Sequence, residues 1–188
     1  MKFTIKNYIE QHNLVIEKLD CQEIETAILL IKETIQREGR VAVCGNGGSA
    51  VAASHYITDW NKMVYTHTKV RFNGICLSDN VGLITAYSND LSYDDVFSEQ
   101  VKNLLGKGDL LITLSGSGNS ENVVKATNVA KSMAIQTLTI CGYDGGKLKQ
   151  MSDNFVWIRS NDMQLCEDAQ TVFGHLVMKS LCEENLYI

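Results

Sequence analysis

The chain has 188 residues, 45% of them apolar and 21% charged, with a formal net charge of −5; that is enough for one sizeable core and short for two. No stretch approaches the ~18 consecutive apolar residues of a membrane span. The scattered Lys and Arg likewise exclude the concentrated basic face that a nucleic-acid surface needs. Met1 to Glu10 mixes polar and apolar residues, which predicts no signal peptide and a cytoplasmic protein.

Residues 2–38 carry apolar side chains at helical spacing, notably Ile24, Ala27, Ile28, Ile31 and Ile35, and end at Gly39, predicting two helices. Short β-rich runs then alternate with helical stretches: Arg40–Cys44, Val70–Leu77, Asp109–Leu114, Gln136–Cys141 and Phe155–Ile158. Five strands with helices between them predict an α/β fold with a parallel, doubly wound sheet. The first and third runs are almost continuously apolar, as strands covered on both faces are. A long helix over about Gln164–Glu183 closes the chain, and long terminal helices often pack against another subunit. We read residues 1–38 as helices packed on the domain or on a neighbouring subunit, and 39–188 as the main domain of one structural unit. The cysteines at 21, 44, 76, 141, 166 and 182 form no C-x-x-C pair and read as reduced, largely buried thiols.

The first strand runs directly into Gly45-Asn-Gly-Gly-Ser49, with a helix from about Ala50. Glycines let the backbone approach a ligand, and the helix start offers free N–H groups with the positive end of the dipole, so the turn is suited to an anion. Ser49 adds a hydroxyl. Taken alone, Gly45, Gly47 and Ala50 also fit the dinucleotide pattern G-x-G-x-x-A. After the third strand, however, Ser115-Gly-Ser-Gly-Asn-Ser120 again leads into a helix, near Glu121. In a doubly wound sheet ligands bind beyond the carboxyl ends of the strands near the switch point, where both turns can meet. Charge-assisted hydrogen bonds are worth roughly 1.5–3 kcal/mol each, so four or five donors can hold a phosphate dianion without an arginine. A mere helix cap needs one Ser or Asn, not three serines with two glycines between them.

The segments Gly45-Asn-Gly-Gly-Ser49, Ser88-Asn-Asp90, Ser115-Gly-Ser-Gly-Asn-Ser120 and Gly174-His175 resemble the phosphoheptose isomerases of the sugar-isomerase (SIS) domain family, over about residues 38–183. The resemblance implies a flavodoxin-like sheet, a homotetramer with sites between subunits, and conversion of sedoheptulose 7-phosphate to D-glycero-D-manno-heptose 7-phosphate for lipopolysaccharide or capsule synthesis. It places the sugar phosphate on Asn46, Gly47, Gly48, Asn89, Asp90, Ser115, Gly116, Ser117 and Ser120. His55, Asp59, Glu167 and His175 fall where those enzymes carry metal and acid–base residues. Three positions depart from the family's usual residues: Asp59 replaces glutamate, Glu167 replaces glutamine, and Gly116 stands where threonine is commoner.

His55 and Asp59 are four apart on the helix that begins at the first turn and so share a face. Glu167 and His175 are eight apart on the terminal helix, displaced by roughly 80° at 3.6 residues per turn. Imidazole and carboxylate ligands are typical of zinc, and two such pairs can complete a four-ligand shell. Aldose–ketose isomerisation needs a base for the proton beside the carbonyl and an acid to return it; Asp59 or Glu167 is read as base, with His175 as its partner. Gly142-Tyr-Asp-Gly-Gly146 reads as a structural strand-to-helix turn, and Tyr93, Asp94 and Asp95 as a helix start.

Two other readings compete. One is a non-catalytic SIS protein that binds a sugar phosphate or a protein partner as a regulator; one such regulator type resembles this chain in the Gly142–Gly146 turn. Keeping His55, Asp59 and His175 favours the enzyme. The other is a nicotinamide-binding enzyme, with Asp79 near the end of the second strand to hold the ribose, which leaves the serine turn without a purpose.

Overall fold

Two helix starts near the N-terminus are set by side chains that accept the free N–H groups of a first turn. Thr4 Oγ1 accepts from the Asn7 N–H at 3.1 Å ahead of α1 (Ile5–Glu17), and Asp20 Oδ1 accepts from Gln22 at 2.9 Å ahead of α2 (Cys21–Gln36). The computed structural model describes residues 4–183. The first residues of the predicted leading helix, part of the Met1–Glu10 reading and the end of the 39–188 domain lie outside that range.

The chain continues through β1 (Val41–Gly45), α3 (Gly48–Asp59), a π-helical segment (Trp60–Val64), α4 (Tyr65–Thr68), β2 (Gly74–Cys76) and α5 (Val81–Asp90). A 3-10 turn (Tyr93–Asp95) leads to α6 (Ser98–Leu104), β3 (Leu110–Ser115), α7 (Glu121–Ser132), β4 (Gln136–Cys141), α8 (Gly146–Met151), β5 (Asn154–Trp157) and α9 (Met163–Glu183). The five strands form one parallel sheet in the order β2-β1-β3-β4-β5. This is the flavodoxin-like winding, whose order reverses between β1 and β3.

Alternate strand residues feed two cores, because successive side chains point to opposite faces. Val41, Val43, Leu110, Ile112 and Leu138 pack with α2, α3 and α9 on one side. Ala42, Cys44 and Leu111 pack with α6 and α7 on the other. The α2 residues Ala27, Leu30, Ile31 and Ile35 are buried in the first core, so this N-terminal helix packs on its own domain. Tyr8 Oη donates to Asp168 Oδ2 at 2.7 Å and holds α1 against α9.

The predicted second strand, Val70–Leu77, shortens to Gly74–Cys76. Among the described residues it is an edge strand paired with β1 alone, so its apolar lead-in, with Val70 and Phe72 buried, packs on the core without joining the ladder. The predicted end of α2 at Gly39 also differs in detail. Glu38 takes the left-handed turn at φ 59°, while Gly39 serves a close approach, since a Cβ there would overlap the carbonyl of Gly108. All six cysteines are free. Burial pushes the Cys76 and Cys141 thiols up to about 12, which leaves them inert. Among the described residues, no helix is long and apolar enough to cross a membrane.

Candidate active site

Adjacent strands β1 and β3 end in the two glycine-rich turns, and this is the switch point of the sheet. After β1, Gly47 takes φ 53°, a conformation that favours glycine, and α3 starts at Gly48 with no side-chain cap. After β3, Gly118 takes φ 67°, and a Cβ on it would overlap the Gly145 carbonyl. The Gly142–Gly146 turn thus braces the serine turn from behind: Gly142 N donates to Gly116 O at 2.9 Å and Leu148 N to Gly118 O at 3.0 Å. That is the structural role its sequence predicts.

The two turns line one cleft of about 240 Å³, with Asn46, Gly47, Ser49, Ser115, Gly116, Ser117 and Ser120 on its walls and Met163 and Glu167 from α9 closing it. Ser120 stands at the N-cap of α7, yet its side chain makes no capping bond. Its hydroxyl lies 3.5 Å from that of Ser115 instead. Capping therefore does not account for Ser120, whereas Ser115 Oγ accepts from the Gly118 N–H at 3.1 Å and Ser117 Oγ from the Asn119 N–H at 3.2 Å, bonds that shape the turn itself. Among the described residues, no Lys or Arg lines the cleft; its attraction for an anion comes from hydroxyls and from the first-turn N–H groups of α3 and α7.

A second group forms where α3 crosses α9. Tyr56 and Trp60 stack at 5.0 Å between ring centroids, and Phe173 lies 6.1 Å from Tyr56. Tyr56 Oη donates to the carbonyl of Gln170, and Trp60 Nε1 donates to that of Gly174 at 3.0 Å. Gly174 makes this crossing fit, because any Cβ there would overlap the Tyr56 ring. The close crossing brings His55 and His175 together with Nε2 atoms 2.9 Å apart. Asp59 Oδ2 lies 3.4 Å from His55 Nε2 and 3.8 Å from His175 Nε2. Directly after Asp59 the helix widens to π geometry, a deformation frequent at functional sites. There the Asn61 amide pairs with the Gly74 backbone at 3.0 and 3.2 Å and ties the segment to β2.

The donor set His55, Asp59 and His175, with all three ligand atoms within 4.8 Å of one another, fits a metal ion. Bonds of about 2.0–2.1 Å to zinc imply about 3.4 Å between tetrahedral ligand atoms, and the three spacings bracket that value.

Glu167 lies apart from this group. Its carboxylate rests over Gly48, where an added Cβ would overlap it, so it belongs to the cleft wall. Asn89 and Asp90 end α5, exposed and bonded to each other at 2.8 Å, and they are not among the residues lining the cleft. Sequence reasoning did not pick out Asn122, and it read Tyr93 only as part of a helix start. Asn122, 2% exposed, pairs its amide with that of Asn46, and Tyr93 Oη donates to Asn46 Oδ1 at 2.9 Å. A signal for Asn122 was present: an amide two residues past a helix-starting serine, at a position the helix buries.

A sequence model described as SIS domain matches residues 7–142. The chain is 32% identical over 182 residues, 96% of each chain, to the phosphoheptose isomerase of Aliarcobacter butzleri (strain RM4018). It is 35% identical to that of Helicobacter pylori (strain ATCC 700392 / 26695), covering 92% of this chain and 91% of the relative. The solved phosphoheptose isomerase GmhA from Neisseria gonorrhoeae superposes with a TM-score of 0.88 at 26% identity, covering 94% of this chain and 96% of the other.

Proposed function

The chain belongs to the SIS domain family and, within it, to the phosphoheptose isomerases, and from that premise we propose that it interconverts sedoheptulose 7-phosphate and D-glycero-D-manno-heptose 7-phosphate in the cytoplasm, for surface polysaccharide synthesis. The observation that carries the reading is the arrangement of an anion cleft at one end of α3 and a His–Asp–His group farther along the same helix. Gly48 and His55 are seven residues apart, about 10 Å of helix rise. Bonds of backbone type advance about 1.2 Å each when extended, so phosphorus and carbon 2 of a seven-carbon 7-phosphate, seven bonds apart, span about 8–9 Å. A three-carbon phosphate falls well short of that. An open groove of about 480 Å³ along α3, lined in part by Val51, Ser54, His55 and Thr58, gives the sugar chain room.

The phosphate rests on the two turns, with Ser115, Ser117 and Ser120 supplying hydroxyls and the glycines supplying N–H groups; Ser49, 4% exposed, instead donates its hydroxyl to Gln170 Oε1 at 2.9 Å and braces the turn from α9. Asp59 turns Oδ2 to both histidines, which leaves Oδ1 to take a proton from carbon 1 of the ketose and return it to carbon 2. His175 moves a proton between the two oxygens: the carbonyl oxygen gains one as the enediol forms, and the carbon 1 hydroxyl gives one up as the aldehyde forms. His55, Asp59 and His175 would hold zinc, which would polarise the carbonyl and hydroxyl oxygens; with Nε2 so engaged, His175 would carry the proton on its other ring nitrogen, Nδ1. Glu167, at the cleft wall, is placed for contact with substrate near the phosphate rather than for the proton transfer at carbon 1.

A homotetramer with sites between subunits fits the exposed apolar residues that flank the histidines: Val51, one turn before His55, is 70% exposed, and Leu176, beside His175, is 41% exposed. A converging His–Asp–His group has no use in a pure binder, which supports catalysis over the regulator reading. Incubation with sedoheptulose 7-phosphate, followed by NMR with and without zinc, should give the aldose, and His175→Ala should abolish turnover while retaining phosphate binding. Absence of both conversion and binding in the unaltered protein would overturn the reading.

A further inference from the structure

We propose that the Asn46–Asn122 amide pair, closed by the Tyr93 hydroxyl, is a positioning clamp that sets the gap between the two anion-binding turns. The inference rests on the sugar-phosphate reading and extends it to two residues, Asn122 and Tyr93, that do not line the cleft.

β1 and β3 are hydrogen-bonded neighbours up to Gly45 and Leu114. Beyond them the ladder stops, and the turns would be free to splay. Asn46 sits in the first turn, and Asn122 lies in the first turn of α7, just past the second. Asn46 Nδ2 donates to Asn122 Oδ1 at 2.8 Å, and Asn122 Nδ2 donates back to Asn46 Oδ1 at 2.9 Å. This reciprocal pair is the side-chain counterpart of the ladder that has ended.

Amide orientation is ambiguous unless the network fixes it, and here it does. The Val123 N–H can only donate, and it lies 3.0 Å from Asn122 Oδ1. That sets the Asn122 amide, which sets the Asn46 amide, which leaves Asn46 Oδ1 to accept from Tyr93 Oη at 2.9 Å. Each amide oxygen then accepts two hydrogen bonds and its lone pairs are filled. Asn122 is 2% exposed and Asn46 half-buried at the cleft wall, so water reaches the pair from the Asn46 side alone. The Tyr93 turn is itself anchored to α7 by an ion pair between Asp95 and Lys125, which holds the Asp95 carboxyl below its usual range. The clamp therefore closes a circuit: first turn, Asn122, α7, Asp95, Tyr93 and back to the first turn.

The clamp occupies the Asn46 amide, so the first turn meets the anion through backbone N–H groups. Their aim depends on residues that touch no phosphate, and a misplacement of about 1 Å is enough to weaken a multi-donor site strongly.

The test compares the unaltered protein with Asn122→Ala and Tyr93→Phe, measuring inorganic phosphate binding by calorimetry and steady-state kinetics with sedoheptulose 7-phosphate. At roughly two- to tenfold per lost hydrogen bond, Asn122→Ala should weaken phosphate at least about fivefold and Tyr93→Phe about twofold. KM should rise in parallel while kcat stays within about twofold, the signature of an interaction equal in ground and transition states. A fall in thermal stability without a change in phosphate affinity would overturn the clamp and leave a merely structural pair. Tyr93, 53% exposed, can be altered without a folding risk, so an unchanged affinity in Tyr93→Phe would remove it from the clamp even if Asn122→Ala fails to fold. Unaltered protein that turns over the sugar yet shows no phosphate binding overturns the clamp alone; loss of both overturns the proposed function with it.

Discussion

At the scale of single residues, the site is decided as much by what is missing as by what is present. Gly174 carries no Cβ, and for that reason the Tyr56 ring lies against α9 and the His55 and His175 rings lie edge to face at 5.1 Å. Gly174→Ala should therefore do two things. It overpacks the helix crossing, at a cost of about 1–3 kcal/mol, and it moves the histidines apart. Thermal denaturation should report the first, and, at the proposed zinc site, competition with a zinc chelator should report weaker retention for the second; retention equal to that of the unaltered protein would separate the crossing from the proposed metal group. Glu167 makes the complementary point. Its type and helix position suit the metal group, yet its carboxylate lies over the start of α3, a distinction of side-chain direction that residue spacing does not carry.

At the scale of elements, the strands are held at their starts by side chains from neighbouring turns. Asp153 accepts from the Thr137 N–H at 3.0 Å and from its hydroxyl at 2.8 Å, and pairs with Lys131 at 2.9 Å, joining β4, α7 and the entry to β5. Burial alone would raise the Asp153 carboxyl; the bonds from Lys131 and Thr137 outweigh it and bring it below its usual range. A carboxylate with a depressed folded pKa stabilises the fold above its unfolded value and loses that contribution as pH falls through the folded one. Asp153→Asn should thus lower stability by about 1 kcal/mol near pH 7. The gap to the unaltered protein should close in urea titrations taken from about pH 4 downward; a gap independent of pH would mean that the charge contributes nothing. The π-helical segment after Asp59 belongs to the same scale. Its wider turn breaks the 3.6-residue pattern, and the Asn61 amide takes over bonds to Gly74 that an edge strand would otherwise seek.

At the scale of the whole molecule, the unpartnered apolar surface beside the histidines is the feature with the largest consequence. If the proposed tetramer forms, light scattering should give four times the 20.9 kDa of one chain. Val51→Lys, which puts a charge on the flank of the histidine group, should lower both the mass and the turnover while leaving the monomer folded. A single-chain mass with full activity would rule out sites shared between subunits. The sequence by itself determined the parallel α/β fold, the five strands and the two turns, because periodicity, glycines and helix-starting residues act over a few neighbours. It also marked His55, Asp59 and His175 as chemistry-bearing. Only the tertiary structure decided that these three meet within one chain while Glu167 joins the phosphate cleft, and that Asn122 and Tyr93 tie the turns together. Those contacts join residues 47 to 120 positions apart, and they depend on how closely two helices cross and two strands end, which no local pattern encodes.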